Sequence, residues 1–288
     1  SHLVLAGRTR TTVPLLQALA SRGVPTFFCR RDGTLTGVFG PHEADWATWA
    51  AQASFASDTS ARTAFAREVV AAKLHNGARL ATARGLPREA AEKMRELEGE
   101  CANKVTTDAL RGLEGAGAAA FFGALGKALP AGWSFEGRRK HPPTDPVNAL
   151  LSFGYTMLHN HVSTALQAAG LNPRVGLYHE ETGALHALAC DLQEEFRFLV
   201  DGLVLAVLNR REVSPDDFTR VADSEACFLK DEPRKTFVRR FDERLLDSAA
   251  GEDFPPRTYA AHVDAQARQV KDLVHRRSTL YRPFRVHA

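Results

Sequence analysis

Glu114 lies where a charged side chain is unexpected. Helical spacing from a cap at Thr107 places Glu114 on the same apolar stripe as Leu110, Phe121 and Leu125. Burial of a carboxylate without a partner is costly, so Glu114 needs a cation, hydrogen-bond donors or a raised pKa. The alternative is that Glu114 lies near a frayed helix start and faces water. Spacing alone leaves both interpretations open.

A second set of polar residues follows between residues 176 and 197. His179 ends the segment Gly-Leu-Tyr-His. Asp191, three residues before Glu194, resembles the cap of a helix whose buried face starts at Phe196. On that helix Glu194 points away from the apolar stripe, so a solvated polar face is the simpler interpretation.

Two kinds of metal site can be built from these residue types. Imidazole and thiolate suit zinc, and His179, His186 and Cys190 offer both, but their spacing matches no compact zinc pattern. Carboxylates with an imidazole and open positions suit Mg²⁺ or Mn²⁺ better, because hard cations prefer oxygen. The chain contains no Ser-His-Asp order, glycine-rich phosphate loop or dinucleotide fingerprint, which disfavours those enzyme classes.

A short cationic run, Arg138, Arg139, Lys140 and His141, is expected on a loop and suits phosphate oxygens. A solvated loop is the simpler interpretation of so short a run. The 37 Lys and Arg residues against 34 Asp and Glu leave a net charge of only +3, so the molecule is not a polycation. Any nucleic-acid surface must therefore be a local patch.

The elements that must position these residues fall into two parts. Residues 3–5, 24–28 and 34–38 are strand-like, with a helix capped at Thr11 or Thr12 and a turn at residues 31–33. Three short strands leave an exposed sheet edge, which upstream sequence or another subunit would complete. Beyond residue 41 the chain becomes rich in alanine and helix-forming residues. These patterns predict an α+β protein, with the final part of a small β-rich N-terminal domain in residues 1–55 and a mainly α-helical domain in residues 56–288.

Composition restricts the class of protein further. Hydrophobic residues make up 44% of the chain, which is typical of an ordinary globular protein. The four cysteines form no C-x-x-C pair, which argues against a disulfide framework and fits a reducing compartment. No apolar run approaches the roughly 20 residues of a membrane helix. We therefore expect a soluble cytoplasmic protein that does not act in a membrane.

Several sequence blocks, taken together and in order, resemble the CRISPR-associated Cas-one family, the integrase subunit of spacer acquisition. The likeness runs nearly end to end and is densest over residues 139–200, which contain PPTDPVNALLSFGY, GLYH and LACDLQEEFR. The upstream segment RGLEGAGAAAFF is similar to the Glu-Gly helix segment of the family. By position, the resemblance implies that Glu114, His179 and Glu194 are catalytic metal ligands, with Asp191 as an acidic neighbour of the site.

The same resemblance implies an activity and partners. The family is a Mg²⁺- or Mn²⁺-dependent DNA endonuclease and strand transferase, which inserts protospacer 3′ ends into the CRISPR array by transesterification. Its implied partners are double-stranded DNA, a second copy of the chain and a Cas-two dimer, in a prokaryotic cytoplasm. Family members usually have more N-terminal β sequence, so we expect a longer polypeptide, such as a fusion to a Cas-four nuclease. Expected DNA contacts are Arg138, Arg139, Lys140, Arg276 and Arg277, with Arg282 and Arg285 as further candidates.

Two other functions stay open. A structure-selective DNA repair nuclease would use the same metal ligands with water as the nucleophile and would not join strands. A catalytically idle DNA-binding scaffold is disfavoured, because Glu114, His179 and Glu194 are all present. Analysis of products on a CRISPR repeat distinguishes the first alternative from an integrase.

Overall fold

The computed structural model describes residues 2–40, 45–139, 142–180, 186–220 and 226–287. The chain folds into two compact units. The first unit comprises Ser1–Phe65, Thr156–Gln193 and Val263–Tyr281, and the second comprises Ala66–Tyr155, Glu194–His262 and Arg282–Ala288. The domain boundary expected near residue 55 stays a prediction.

A three-stranded sheet lies in the first unit. It contains β1 (Leu3–Ala6), β2 (Thr26–Cys29) and β3 (Leu35–Phe39) in the order β1-β2-β3. Strand β1 runs parallel to β2 with Val4 opposite Phe27, whereas β2 runs antiparallel to β3 with Phe27 opposite Val38. Phe27 is fully buried in this sheet. The predicted arrangement of strand, helix and hairpin is therefore confirmed.

Local hydrogen bonds explain the connections of this sheet. Helix α1 (Val13–Ser21) links β1 to β2, and its cap is Thr12, whose hydroxyl accepts a hydrogen bond from Leu15 N at 3.4 Å. In the turn between β2 and β3, Asp32 Oδ1 accepts from Thr34 N at 3.0 Å. Gly33 has a φ of +80°, a backbone conformation that favours glycine.

The rest of the described chain is mainly helical. The helices are α2 (Trp46–Ala56), α3 (Thr59–Ala83), α4 (Arg88–Cys101), α5 (Thr107–Lys127), α6 (Pro146–Ala168), α7 (Ala187–Gln193), α8 (Arg197–Asn209), α9 (Asp231–Leu246) and α10 (Tyr259–Val274). Two short hairpins lie among the later helices: β4 (Phe218–Arg220) with β5 (Cys227–Leu229), and β6 (Ser248–Gly251) with β7 (Phe254–Thr258). This architecture confirms the α+β class. No helix in the described part of the chain is long and apolar enough to cross a bilayer.

Capping side chains set where several of the helices begin. Asp58 Oδ1 accepts from Ala61 N at 3.0 Å at the start of α3. Asp145 Oδ1 likewise accepts from Asn148 N at 2.8 Å before α6. The expected cap of α5 at Thr107 is wrong by one residue: Thr106 is extended, and its hydroxyl accepts from Ala109 N. Neighbouring threonines cannot be told apart by spacing alone.

Candidate metal centre

Glu114 lies on the second turn of α5, and its side chain is only 18% exposed. Helix α5 approaches α3 closely at Gly117, where an added Cβ would lie 2.2 Å from Leu74 Cδ2. Glycine therefore permits a helix contact that brings Glu114 beside Lys73, the residue before Leu74. The alternative in which Glu114 faces water from a frayed helix start is wrong.

Glu194 begins a 3₁₀ turn, Glu194–Phe196, that separates α7 from α8. Its side chain is 3% exposed, so the solvated polar face expected for Glu194 is wrong. The physical reason is the turn itself. A 3₁₀ turn has about three residues per turn rather than 3.6, and this break changes which side the residues before α8 face.

Lys73 on α3 joins the two carboxylates. Its Nζ lies 2.5 Å from Glu114 Oε1 and 2.6 Å from Glu194 Oε2. Burial alone would lower the pKa of Lys73, but the Glu114 and Glu194 carboxylates outweigh that effect and raise the pKa. The ammonium is therefore charged at neutral pH.

Arg197, the first residue of α8, is the second cation beside the acidic pair. Its Nη1 lies 3.1 Å from Glu194 Oε1. Burial would lower the pKa of Arg197, whereas Glu194, Tyr155 and Asp201 raise it, with a net upward shift. Two carboxylates and two cations thus balance in charge. This explains how Glu194 is tolerated in the interior.

A stacked arrangement fixes Arg197. Its guanidinium carbon lies 4.0 Å from the centre of the Tyr155 ring, and that of Arg138 lies 5.4 Å from it. The Tyr155 hydroxyl donates to Asp201, whose pKa burial raises to about 6. Tyr155 is a buried core residue that also supports the charged side chains beside Glu194.

One oxygen of the acidic pair has no aligned hydrogen-bond donor among the described residues. Glu194 Oε2 is buried and accepts no hydrogen bond from the described residues, although Lys73 Nζ lies 2.6 Å away. Buried carboxylate oxygens are normally satisfied. An oxygen in this state is suited to ligation of a cation.

His179 is held by Asp191. The Asp191 carboxylate is fully buried in α7, where Oδ2 accepts from Leu177 N and Tyr178 N at 2.7 and 3.0 Å. Its Oδ1 accepts from His179 N and lies 2.8 Å from His179 Nδ1. The preceding turn needs Gly176, because an added Cβ would lie 2.2 Å from the carbonyl oxygen of His179. Asp191 is therefore not a helix cap; its partners lie 12 to 14 residues earlier in the chain.

This contact defines the chemistry of the imidazole. In a neutral ring, the Nδ1 that faces a carboxylate carries the proton, so Nε2 carries the lone pair. Metal-ligating histidines are commonly oriented in this way by a carboxylate. The segment that ends in His179 thus presents a nitrogen donor whose orientation is fixed.

The structure brings Glu114, His179 and Glu194 together, with one ligand atom of each within 4.8 Å of the others. His186 and Cys190, the remaining residues of the zinc alternative, have other neighbours: His186 Nδ1 bonds Ser163 Oγ at 2.7 Å, and Cys190 Sγ lies 3.8 Å from His159 Nδ1. Two carboxylates and one imidazole suit a hard divalent cation better than zinc in a thiolate site.

The basic residues proposed for DNA contact differ in their surroundings. Arg138 is held within the fold, where Nη1 donates to Asn148 Oδ1 at 2.9 Å and Nη2 donates to Ser152 Oγ at 3.0 Å. Arg139, Arg276 and Arg277 are exposed, and each pairs with one surface acid. Lys140 lies outside the described residues. Arg285 pairs with Glu68 at 3.4 Å.

Sequence reasoning missed Lys73 and Arg197. A signal for Lys73 was present, because it interrupts the apolar run Val-Val-Ala-Ala-Lys-Leu of residues 69–74. A lone charge within such a run needs a buried partner. Arg197 follows Phe196 in a region where helical periodicity is interrupted, and we find no local signal that distinguishes it from a surface arginine.

The donor set could hold a divalent cation, and it belongs to an α+β protein. Comparison with known families identifies the protein class: the family model of CRISPR associated protein Cas1 (Cas-one) matches residues 1–243. The chain belongs to the Cas1 family. The resemblance seen in the sequence blocks is thereby confirmed.

Two curated relatives illustrate the range of the family. The chain is 34% identical over 287 residues to "CRISPR-associated endonuclease Cas1 1" of Thermus thermophilus, covering 98% of this chain and 87% of the relative. It is 38% identical over 261 residues to a "CRISPR-associated exonuclease Cas4/endonuclease Cas1 fusion" of Rhodospirillum rubrum. That match covers 85% of this chain, which spans less than half (44%) of the length of the fusion protein.

Solved structures agree with the fold. A chain of a "Partial Cas6-RT-Cas1--Cas2 complex" is 26% identical, with a TM-score of 0.86 over 100% of this chain and 88% of that chain. A casposase bound to integration product is 21% identical, with a TM-score of 0.81 over 100% of this chain and 86% of that chain. The casposase supports the fold alone.

Proposed function

We propose that this chain carries the active site of a CRISPR adaptation integrase. The observation that carries the proposal is the close group of Glu114, His179 and Glu194 in a chain of the Cas1 family. The proposed substrates are a protospacer with free 3′ ends and the leader-repeat boundary of a CRISPR array. Two joining events would insert one spacer.

Glu114, Glu194 and His179 would hold one Mg²⁺ or Mn²⁺ ion. Their donors fit such an ion, since two carboxylates supply oxygen and Glu194 Oε2 accepts no aligned hydrogen bond within the described chain. A divalent ion supplies Lewis acidity there, which polarises a phosphate and favours ionisation of a hydroxyl.

The reaction is a transesterification. The protospacer 3′ oxygen forms a bond to phosphorus in the target strand, and the bond from that phosphorus to the 3′ oxygen of the neighbouring nucleotide breaks. The attacking hydroxyl loses its proton, and the departing 3′ oxygen gains one. The number of phosphodiester bonds is unchanged, because one phosphodiester replaces another. The same site with water as the nucleophile would give hydrolysis, the reaction of the repair-nuclease alternative.

The protein side chains have separate roles in this proposal. Asp191 fixes the ring of His179, so that the nitrogen donor does not have to be ordered when the metal arrives. Arg197 stabilises Glu194 by pairing with Oε1, which leaves the other carboxylate oxygen, Oε2, for the ion. Stacking on Tyr155 keeps that guanidinium in place.

DNA backbone contact is proposed for Arg139, Arg276 and Arg277. Each is about 60% exposed (59%, 64% and 62%), and a phosphate could replace its present surface acid. Arg138 is a weaker candidate, since its Nη1 and Nη2 already bond Asn148 and Ser152. Lys140 stays a candidate from sequence alone.

The proposed assembly contains a homodimer of this chain and a Cas2 dimer, in the prokaryotic cytoplasm. Its support is the likeness to a solved complex whose title includes Cas1 and Cas2. Association with a Cas4 nuclease, by fusion or by contact, is supported by the R. rubrum relative. The chain spans 44% of the length of that relative, so we state these partners as part of the proposed function.

The test is strand transfer of a labelled protospacer into a plasmid with a CRISPR repeat, in the presence of Cas2 and Mn²⁺. We expect joined product from the native protein and from His287→Ala, whose exposed histidine provides the control. His179→Ala should give no joined product. Cleavage without joining in the native protein would favour the repair nuclease, and joining by His179→Ala would refute the proposed site.

A further inference from the structure

Lys73 occupies the position between the two acidic ligands of the proposed site. Its Nζ lies 2.5 Å from Glu114 Oε1 and 2.6 Å from Glu194 Oε2, and its side chain is 15% exposed. The residues before and after it on α3, Ala72 and Leu74, are buried core residues. The ammonium therefore contacts both carboxylates from a position within the helical core.

At Glu194, Lys73 contacts the oxygen that is left for a metal. Glu194 Oε1 already faces Arg197 Nη1 at 3.1 Å, so Oε2 is the donor that remains, and it lies against Lys73. A Mg²⁺ ion bound to oxygen at about 2.0–2.1 Å would lie within a few ångströms of the ammonium. Like charges at such a separation repel strongly in a buried site.

The two cations around Glu194 differ in their freedom to move. Arg197 is stacked on the Tyr155 ring at 4.0 Å and has a rigid, planar head group. Lys73 has a flexible four-carbon stem with a rotatable head group. Of the two, Lys73 is the one that can withdraw.

We propose that Lys73 is a built-in competitor for the divalent metal. Its ammonium neutralises Glu114 and Glu194 before metal binds and leaves their oxygens when metal enters, so this one residue sets the metal affinity. This inference rests on the metal site proposed above. It makes Lys73 a positioning residue that stabilises the metal-free centre and weakens the metal complex.

A role in structure alone predicts a different result. If Lys73 only held the two helices together, its removal would disorder the carboxylates and weaken metal binding. Competition predicts instead that loss of the positive charge tightens metal binding, because the buried carboxylates then carry more negative charge and attract a divalent ion more strongly.

The test is titration of the full chain with Mn²⁺, followed by electron paramagnetic resonance of the free ion. We expect Lys73→Met to bind Mn²⁺ at least tenfold more tightly than the native protein, and Lys73→Arg to stay close to the native affinity. Lys104→Met, which removes a partly exposed pair with Glu100, is the matched control and should leave the affinity unchanged. Unchanged or weaker binding by Lys73→Met would overturn the proposal.

Thermal melting provides the second measurement. Without metal, Lys73→Met should melt below the native protein, and saturating Mn²⁺ should raise its melting temperature by more than it raises that of the native protein. Lys73→Gln retains a hydrogen-bond donor without the charge and should show the same direction if Lys73→Met does not fold. One result would refute the competitor role and leave the metal site standing. In that result the native protein binds Mn²⁺, Glu194→Gln does not bind it, and Lys73→Met binds it with native affinity. Absence of Mn²⁺ binding by the native protein would overturn both the metal site and the competitor role.

Discussion

A single oxygen of Asp191 faces both the backbone and the ring of His179: Oδ1 accepts from the amide at 2.7 Å and lies 2.8 Å from Nδ1. Both contacts come from one fully buried carboxylate. Rotation of the imidazole would break the second contact while the first still held the backbone. The orientation of His179 is therefore built into the fold and does not depend on a ligand.

Replacement of Asp191 by Asn should weaken metal binding by about 10- to 100-fold, the usual effect of losing a residue that orients a ligand. An amide cannot accept from all of the donors that surround this carboxylate, and its own NH₂ group would face N–H groups. Isothermal titration with Mn²⁺ measures the effect. Asp216→Asn, on an exposed turn, serves as control. Native affinity in Asp191→Asn would contradict the orienting role.

Gly117→Ala should destabilise the protein by about 1–3 kcal/mol, because its new Cβ would overlap Leu74 Cδ2 at the contact between α5 and α3. Gly115→Ala is the control in the same helix, since its Cβ would meet nothing within 4 Å. That control should be neutral or stabilising by up to about 1 kcal/mol. Urea denaturation distinguishes the two, and equal stability of both variants would show that α5 can shift at no cost.

The buried His159 should make folding sensitive to acid. Burial and the neighbouring His186 lower the pKa of His159 from 6.5 to about 4. As pH falls, His159 therefore takes up a proton in the unfolded chain before it does so in the folded protein. The contribution of neutral His159 to the free energy of unfolding is complete above about pH 6.5 and is lost as pH falls through about 4. It amounts to at most about 3 kcal/mol.

Unfolding by urea at a series of pH values measures this loss. His159→Gln should unfold with a shallower dependence on pH between 6.5 and 4 than the native protein. His287→Gln, at an exposed position, should retain the native dependence. A His159→Gln curve parallel to the native one would assign the acid sensitivity to other groups.

Asn76 should hold the final residues of the described chain in place. Its Nδ2 donates to the carbonyl oxygens of Glu195 and Phe284, both at 2.8 Å, and its Oδ1 accepts from Val286 N. Asn76→Ala would leave buried backbone groups without partners, at about 1–3 kcal/mol each. Hydrogen exchange should become faster at residues 284–286. Exchange at native rates there would mean that other contacts suffice; the exposed Asn103→Ala is the control.

Arg139, Arg276 and Arg277 should govern how DNA affinity depends on salt. Removal of one arginine that neutralises a phosphate should reduce the slope of log K against log salt by about 1. Replacement of each arginine by Gln, with Arg88→Gln on the exposed face of α4 as control, can be measured by fluorescence anisotropy at several salt concentrations. Native slopes in all three variants would place the DNA elsewhere.

The first forty residues were predictable because their signals are local. Alternating apolar residues, the cap at Thr12 and the turn around Gly33 each act within a few residues of the chain. Glu114 was also recognisable, since a carboxylate on an apolar helical stripe requires a partner. That the partner is Lys73 depends on a helix contact 41 residues away, which no periodicity contains.

Glu194 and Asp191 show where local patterns fail. A spacing of three residues from Asp191 to Glu194 imitates a capping box, but the donors to Asp191 come from the segment that ends at His179. The 3₁₀ turn then interrupts the helical period that was used to place Glu194 on a polar face. In both cases the carboxylate is buried because of long-range contacts, and only the family resemblance predicted that Glu194 and Asp191 lie near one candidate site.

Each of the three residues of the 3₁₀ turn Glu194–Phe196 makes a different contact. Glu194 faces Lys73, Glu195 accepts from Phe284 N at 2.6 Å, and Phe196 stacks on the Phe284 ring with centroids 5.5 Å apart. An insertion or deletion of a single residue here would shift the register and break all three contacts at once. A point substitution would disturb only one of them. We therefore expect homologous chains to keep the length of this turn.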